Sequence, residues 1–531
     1  MKLSPDDIIK KINHLKAERG TWESHWQELA DFVLPNKNDI NNQRTPGEKV
    51  NRHLLDNTAM QSNILLAGFL HSLLTNPNSQ FFFLTTGDED IDDRDDVRKW
   101  LQKTSKRMLN VLNNSNFQTE VHESYIDMGC FGTSVLSIEE DDETVVRFSA
   151  RPIKSCFIEE DNKGQIVEVY RDFKWTISQI IDEFGEKILE KSRILQAAFK
   201  GKDPKKFEIN HAVYPNKMMK GERPGLPWLS QYILPEDKAE LRVSGFSEFP
   251  YAVPRWMKVA GEKYGRSPAM NALPDAKCLN LMVETTIRGA QKVVDPPIEV
   301  PDDGVIGSLR TRPGSIIIRR PGSDPIRPIL NDSRIDFGFQ VIEEKHQRIR
   351  DAFFIDQLQL RQGTPQMTAT EVEARTEQAL RFMGPILGRM TSEKLRPIID
   401  RVFEIMLRRG MIEPAPEILR NKKLDVQYSS LIAKTQRQGE ARSILRAVEQ
   451  ASPFISADPT ILDNIDGDIA LKKIWRINDA PQDMLRDAAD VKKIREDRVE
   501  RQNLMVEEEL KSNTADNISK TVPALANIRT G

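Results

Sequence analysis

Cysteine is scarce in this 531-residue chain: Cys130, Cys156 and Cys278 stand far apart and form no CxxC pair. That spacing argues against a disulfide framework or a cysteine-based zinc site, and it fits a reducing compartment. Histidine is also sparse. The seven present, among them His14, His53, His122 and His211, show no metal-ligand spacing. Long apolar runs are missing. The most apolar segment, Asn63 to Leu74, contains His71 and is too short to cross a bilayer. The opening residues Met1-Lys2-Leu3-Ser4-Pro5-Asp6-Asp7 lack a signal-peptide pattern, so a cytosolic product is expected. Charge of one sign is lacking as well. The formal net charge is -3, so no global basic field draws the chain to nucleic acid, and any such contact must come from local patches. No Walker A sequence, HExxH or GxSxG occurs, which removes the commonest phosphate cradle, zinc-protease site and nucleophile elbow. No cofactor and no metal are expected.

What is present is charge of both signs, 30% of residues, beside 39% hydrophobic residues. This composition fits a structured, polar protein with large solvated or assembly surfaces, and the length allows about three or four domains. The adjacent carboxylates Glu139-Glu140 and Glu159-Glu160 lie near turns. Neighbours on a strand face opposite sides, so neither pair can clamp one substrate, and exposed charge is the expected role. The acidic run Asp88 to Asp96 fails the calcium-loop test, because Asp93 stands where glycine is needed and Lys99 where a bidentate glutamate belongs.

The strongest pattern runs from Gly363 to Gly410. Thr368 and Glu371 form a capping box, with Met367 and Val372 as its hydrophobic staple. Apolar residues recur at Ala379, Met383, Leu387, Met390, Ile398, Val402 and Ile405, near the helical period. Arg408 and Arg409 suit the negative end, and Gly410 suits a left-handed stop. Pro385 and Pro397 lie inside and predict two kinks. Such a helix either wraps around something or is a core helix with tolerated prolines.

Elsewhere the spacing predicts an N-terminal helix capped by Ser4, carrying Ile8, Ile12, Leu15, Trp22, Trp26, Leu29 and Val33, and ended by Pro35. The two tryptophans are expected in a core. Short strands follow at 145–148, 156–158 and 166–171, then a helix at 176–184 and strands at 205–213 and 239–246. A helix starting at Ser267-Pro268 runs to Pro296-Pro297, and a second covers roughly 337–360. Between them lies a compact, turn-rich β module in which Arg-Pro-Gly-Ser occurs twice, at 312–315 and 320–323. Arg310, Arg312, Arg319, Arg320 and Arg327 crowd this module. They suit phosphate contacts, an acidic partner or protection of an edge strand. Lys345, Arg348 and Arg350 form a weaker cluster on the second helix. The segment 483–511 reads as a highly charged helix, suited to assembly or to solvation.

This order of parts resembles the portal proteins, or head-to-tail connectors, of short-tailed bacteriophages. The matching residues are Trp22 and Trp26, Phe249 through Trp256 (FPYAVPRW), Gly261 through Pro268 (GEKYGRSP), Leu273-Pro274-Asp275, Met367 through Glu371 (MTATE) and Val491 through Arg495. Asn478-Asp479-Ala480-Pro481 departs from the pattern, where a Gly-containing turn is expected before the last helix. The resemblance implies a mainly α fold with α+β parts that assembles into a ring of a dozen copies around a channel for double-stranded DNA. It implies a wing over 1–265 and 368–434, stem helices over 266–293 and 337–361, a clip over 294–336, a tunnel loop over 362–367 and a crown over 435–531. Gln362, Gly363, Thr364, Pro365 and Gln366 would then face the channel, Lys345 and Arg348 would be channel-facing stem residues, and the five clip arginines would dock partners. The implied partners are other copies of the chain, DNA, the major capsid and scaffolding proteins, the terminase large subunit and tail adaptor proteins, with no membrane. The implied place is the capsid portal vertex of the virion, after synthesis in the host cytoplasm. The rival reading, a motor or nuclease subunit of a DNA-processing complex, requires a nucleotide or metal motif that the sequence does not contain.

Overall fold

The computed structural model describes residues 2–45, 47–51, 53–92, 94–201, 204–216, 226–295, 298–299, 322, 327–328, 335–358, 383–419, 425–428, 443–453, 466–477, 484–486 and 490–505. The chain divides into two compact units. The larger holds 1–82, 106–412 and 428–432, and the smaller 83–105, 413–427 and 433–531.

In the larger unit the N-terminal helical stretch is two helices, α1 (Pro5–Glu18) and α2 (Gly20–Val33). Ser4 and Asp7 cap α1 reciprocally, as the sequence predicts. The expected single helix breaks at Arg19. That residue is buried, and its guanidinium donates to the carbonyls of Ile153 (2.9 Å) and Cys156 (2.6 Å) and to Glu23 (2.7 Å). Reaching those carbonyls takes precedence over helix continuity.

Helix α3 (Thr58–Leu74) and α4 (Phe117–Phe131) pack together, and both also meet α2. A hairpin of β1 (Val135–Asp141) and β2 (Val145–Arg151) follows. Next comes a five-stranded antiparallel meander: β3 (Cys156–Glu160), β4 (Ile166–Thr176), β5 (Lys206–Pro215), β6 (Trp228–Leu234) and β7 (Ala239–Phe246). Strands β1 and β6 were not foreseen: the first opens on four consecutive buried residues without the alternation of a half-buried strand, and the second begins in a Pro/Gly-rich stretch. Helices α5 (Ile177–Phe184) and α6 (Arg193–Gly201) follow β4. Their Ile177, Ile180 and Leu195 pack on Phe207 and Ile209. On the opposite face Ile8, Ile12 and Leu15 of α1 pack on Tyr170, Ala212 and Tyr214. The alternation along β5 supplies both faces. Full burial of each such aliphatic side chain contributes about 1.5–3 kcal/mol.

The short strand β8 (Tyr251–Ala252) joins β1. Helix α7 (Pro268–Val294) starts at a Ser267 cap. A two-residue pairing of β9 (Ile298–Glu299) with β10 (Arg327–Pro328) precedes α8 (Ile335–Ala352). Helices α7 and α8 run antiparallel, since Lys345 bonds Asp275 while Gly338 lies beside Thr286. The long C-terminal helix of this unit is described from residue 383: α9 (383–390), a π turn (Thr391–Leu395) and α10 (Arg396–Arg408). Gly410 takes φ +65° and Met411 N–H bonds Met406 O at 3.0 Å, the expected left-handed stop. The capping box at Thr368 and Glu371 and its staple Met367 and Val372 lie outside the described residues.

In the smaller unit the acidic run forms one helical turn (Glu89–Asp92), in which Asp92 accepts from Thr86 N–H at 2.9 Å, before the helix beginning at Asp95. Trp100 Nε1 donates to Glu413 O at 2.9 Å. The helix Gly467–Ile477 is tied to the helix at 490–505 by Arg495 and Asp468, 2.7 Å apart.

Candidate functional site: a buried charged junction

The chain after β8 carries Arg255 between apolar neighbours, and its side chain is only 2% exposed. Its Nη2 and Nε donate to the two oxygens of Glu393 at 2.9 and 3.2 Å, and its backbone N–H adds a third bond at 2.9 Å. The remaining donors reach Glu160 and the carbonyl of Gly164 at 2.9 Å. Arg389 also bonds Glu393 (3.0 Å), and Lys258 bonds Glu160 (2.8 Å). A planar guanidinium matches two carboxylates in this way where an ammonium would not. Three elements are thereby clamped: the β3–β4 hairpin, the segment after β8 and the π turn.

The π turn has a local cause. Pro397 has no N–H, so the helix cannot continue its regular bonding there. Instead Arg396 N–H bonds Thr391 O, five residues back. Glu393 lies within this widened turn and meets Arg255, while its neighbour Lys394 is fully buried against α4. Lys394 Nζ sits 3.3 Å from the Tyr125 ring centroid and donates to Val121 O at 3.3 Å. Burial holds its ammonium well below the usual lysine range, against the pull of nearby Asp127. Asp127 is itself buried, which raises its carboxyl, and it pairs with Lys37.

The GEKYGRSP block closes the junction from another side. Gly132 ends α4 at φ +78°, and a Cβ there would stand 2.1 Å from Gly265 O. A Cβ on Gly265 would stand 2.3 Å from Gly132 O. Two backbones therefore touch where neither residue can carry a side chain. Gly265 N–H donates to Thr133 Oγ1 at 2.8 Å, and Ser267 Oγ donates to Cys130 O at 2.7 Å. Tyr264 packs on Trp22 and Trp26; Trp26 is fully buried, as expected of a core residue, whereas Trp22 is half-buried under the Arg266 guanidinium.

One sequence expectation changes here. Glu159 and Glu160 are not simply exposed. Glu159 pairs with Lys11 (2.9 Å) and Lys263 (3.0 Å), and Glu160 with Lys258 and Arg255. The alternation that bars them from one substrate sends them to separate structural partners. Arg255, Glu393 and Lys394 were not singled out from sequence. The available signals were an arginine inside the apolar AVPRW run and an acid–base pair just before Pro397.

Of the residues singled out from sequence, Arg310, Arg312, Arg319, Arg320, Gln362, Gly363, Thr364, Pro365 and Gln366 lie outside the described residues. Arg327 lies in β10, opposite Glu299. Lys345 Nζ bonds Asp275 Oδ1 at 2.6 Å between α8 and α7, and Arg348 bonds Glu344 at 2.6 Å on its own helix. Among the described residues no cluster of three or more His, Cys, Asp or Glu is arranged to hold a metal ion, and no helix is long and apolar enough to cross a membrane. Arg255, Arg389 and Lys258 are bonded to Glu393 and Glu160, which ties the three elements together.

Comparison with known proteins places this junction in context. The family described as bacteriophage head to tail connecting protein matches residues 5–485. A probable portal protein of Bordetella phage BPP-1 is 31% identical over 477 residues, covering 87% of this chain and 85% of the relative. A portal protein of Salmonella phage epsilon15 is 29% identical over 508 residues, covering 92% and 90%. A solved structure, the virion of a native gene transfer agent particle, aligns over 77% of this chain and 90% of its own at 11% identity, with a TM-score of 0.36, too low to bear on the argument. The profile match takes in the FPYAVPRW and GEKYGRSP blocks that build the junction, and on that match and these two relatives the chain belongs to the family of bacteriophage head-to-tail connecting, or portal, proteins.

Proposed function

We propose that this chain is the non-enzymatic subunit of a portal ring of about a dozen copies, set at one capsid vertex and threaded by double-stranded DNA during packaging and ejection. The observation that carries the reading is the match to portal proteins along nearly the whole chain. The antiparallel pair α7 and α8 supports it. Leu281, Ile287 and Phe339 on that pair are exposed, as side chains awaiting a neighbour would be.

In this reading α7 and α8 belong to the stem, 294–336 to the clip, 362–367 to the tunnel loop, 1–265 and 368–434 to the wing, and 435–531 to the crown. The clip arginines dock the terminase large subunit and tail adaptor proteins, and the capsid and scaffolding proteins surround the ring. Gln362 to Gln366 is small, polar and uncharged. Such a loop faces a moving polyanion without holding it, whereas lysines there would bind phosphates and resist sliding. Of the two stem cations, Lys345 is the less exposed and is bonded to Asp275, so Arg348 is the one better placed to meet DNA. The junction around Arg255 holds the wing firm at the base of the helix that leads from the tunnel loop.

Native mass spectrometry of the purified chain tests the proposal. The expected result is a closed homo-oligomer near a dozen copies with no ATPase activity of its own. A chain that stays monomeric at high concentration, or that hydrolyses ATP above background, would sink it.

A further inference from the structure

Helix α3 is anomalous in this chain. Its seventeen residues hold no Asp, Glu, Lys or Arg, although 30% of the whole chain is charged. One side is buried, through Ala59, Asn63, Leu66, Ala67, Leu70 and Leu74, against neighbouring helices. The other side faces outward and is uncharged too: between the exposed polar residues Gln61 and Ser72 lie Ile64, 44% exposed, Leu65, 46%, and Gly68. The outward face of a surface helix normally carries charged residues. Gly68 sharpens the point. Among the described residues, no atom outside the helix's own backbone lies within 4 Å of where its Cβ would stand, so none of them demands a glycine there. Glycine in a helix interior costs about 1 kcal/mol relative to alanine, and close approach of another backbone is a reason for it to be present.

We propose that the Ile64–Leu65–Gly68 face of α3 is a contact surface for a second copy of this chain. The proposal rests on the ring reading above and names a place where neighbours meet. The absence of any cation rules the face out as a DNA contact, which needs positive charge. Contacts between identical subunits, by contrast, have apolar centres poor in charge. Exposed apolar residues also adjoin the entry to α3, where it meets the helix pair assigned to the stem. Leu55, 47% exposed, precedes α3 and its N–H donates to Asn280 Oδ1 at 2.7 Å, next to Leu281, which is 64% exposed on α7. His346 of α8 holds Asp56 at 2.9 Å, so the entry to α3 is fixed to both helices.

Two variants of the full-length chain test this. Leu65→Glu should abolish or sharply weaken ring assembly in native mass spectrometry while the far-ultraviolet circular dichroism of the monomer stays unchanged. Should that variant misfold, thiol labelling decides. Cys130 and Cys156 are buried and Cys278 is exposed, so Leu65→Cys combined with Cys278→Ser leaves one accessible thiol. It should react with a maleimide in dissociated subunits and be protected in the ring. Rings of Leu65→Glu as stable as wild type, or a Leu65→Cys thiol that labels equally fast in both states, would overturn the inference and leave the ring reading standing. Protection that appears only when capsid or scaffolding protein is added would also overturn it, in favour of a capsid contact. A wild-type chain that never assembles would instead remove the ring reading and this inference with it.

Discussion

Single residues carry the junction. Arg255 is the shared buried partner of two carboxylates, and removing it leaves Glu393 to Arg389 and Glu160 to Lys258. Arg255→Ala should therefore destabilise the chain by about 1.5–3 kcal/mol, the cost of lost hydrogen bonds to charged groups. Arg255→Lys should recover little of the loss, because an ammonium cannot match both carboxylates. Thermal or denaturant unfolding checks both. His211 gives a pH signature. It is buried between Ser230 (2.9 Å) and a stacked Tyr232 ring, and burial, then Arg171, hold its imidazole well below the usual histidine range. A folded value below the unfolded one means that the unfolded chain takes up the proton first. Stability is then complete above about pH 6.5 and falls as the pH drops below it. His25 and His71 are lowered by burial too and act in the same direction. His211→Gln should make the melting temperature depend less on pH between 7.5 and 5.5, and an unchanged slope would contradict this account. At this scale the sequence was only partly legible. Pro397 announced a disturbance in the helix, and Trp26 announced a core. Nothing local revealed that Glu393 and Glu160, 233 positions apart in the chain, share one arginine, because that pairing exists only after folding.

At the scale of elements, the helix and strand periods were read well where burial and turn chemistry agree. Ser4, Thr176 and Ser267 cap the helices they were expected to start, and Gly410 stops the one it was expected to stop. The misreading at Arg19 has a clear reason. The apolar stripe continues across it, and only the distant carbonyls at 153 and 156 break the helix. The contact of Gly132 with Gly265 joins the end of α4 to the approach to α7. Gly132→Ala adds a methyl group 2.1 Å from a backbone oxygen and forces a residue with a side chain into φ +78°. It should destabilise by at least about 1–3 kcal/mol, the usual cost of overpacking. Gly20→Ala is the control: it meets no atom within 4 Å and should cost less. Equal melting temperatures for the two variants would remove the close-packing argument for the GEKYGRSP block.

For the whole molecule, family membership and the isolated chain point the same way. The chain is polar and nearly neutral, yet α3, α7 and α8 expose large apolar side chains. In the proposed ring a neighbouring copy would cover them by repeating one interface around an axis. In sequence this expectation rests on the order of parts, two long helices with a turn-rich segment between them, of which the structure describes the helices α7 and α8. Electron cryomicroscopy of the purified full-length chain is the most direct test. The account predicts closed rings with a central channel wide enough for a DNA duplex, with Gln362 and Gln366 on the inner wall. Particles without a channel, open filaments, or rings that carry residues 362–366 on the outer rim would contradict it.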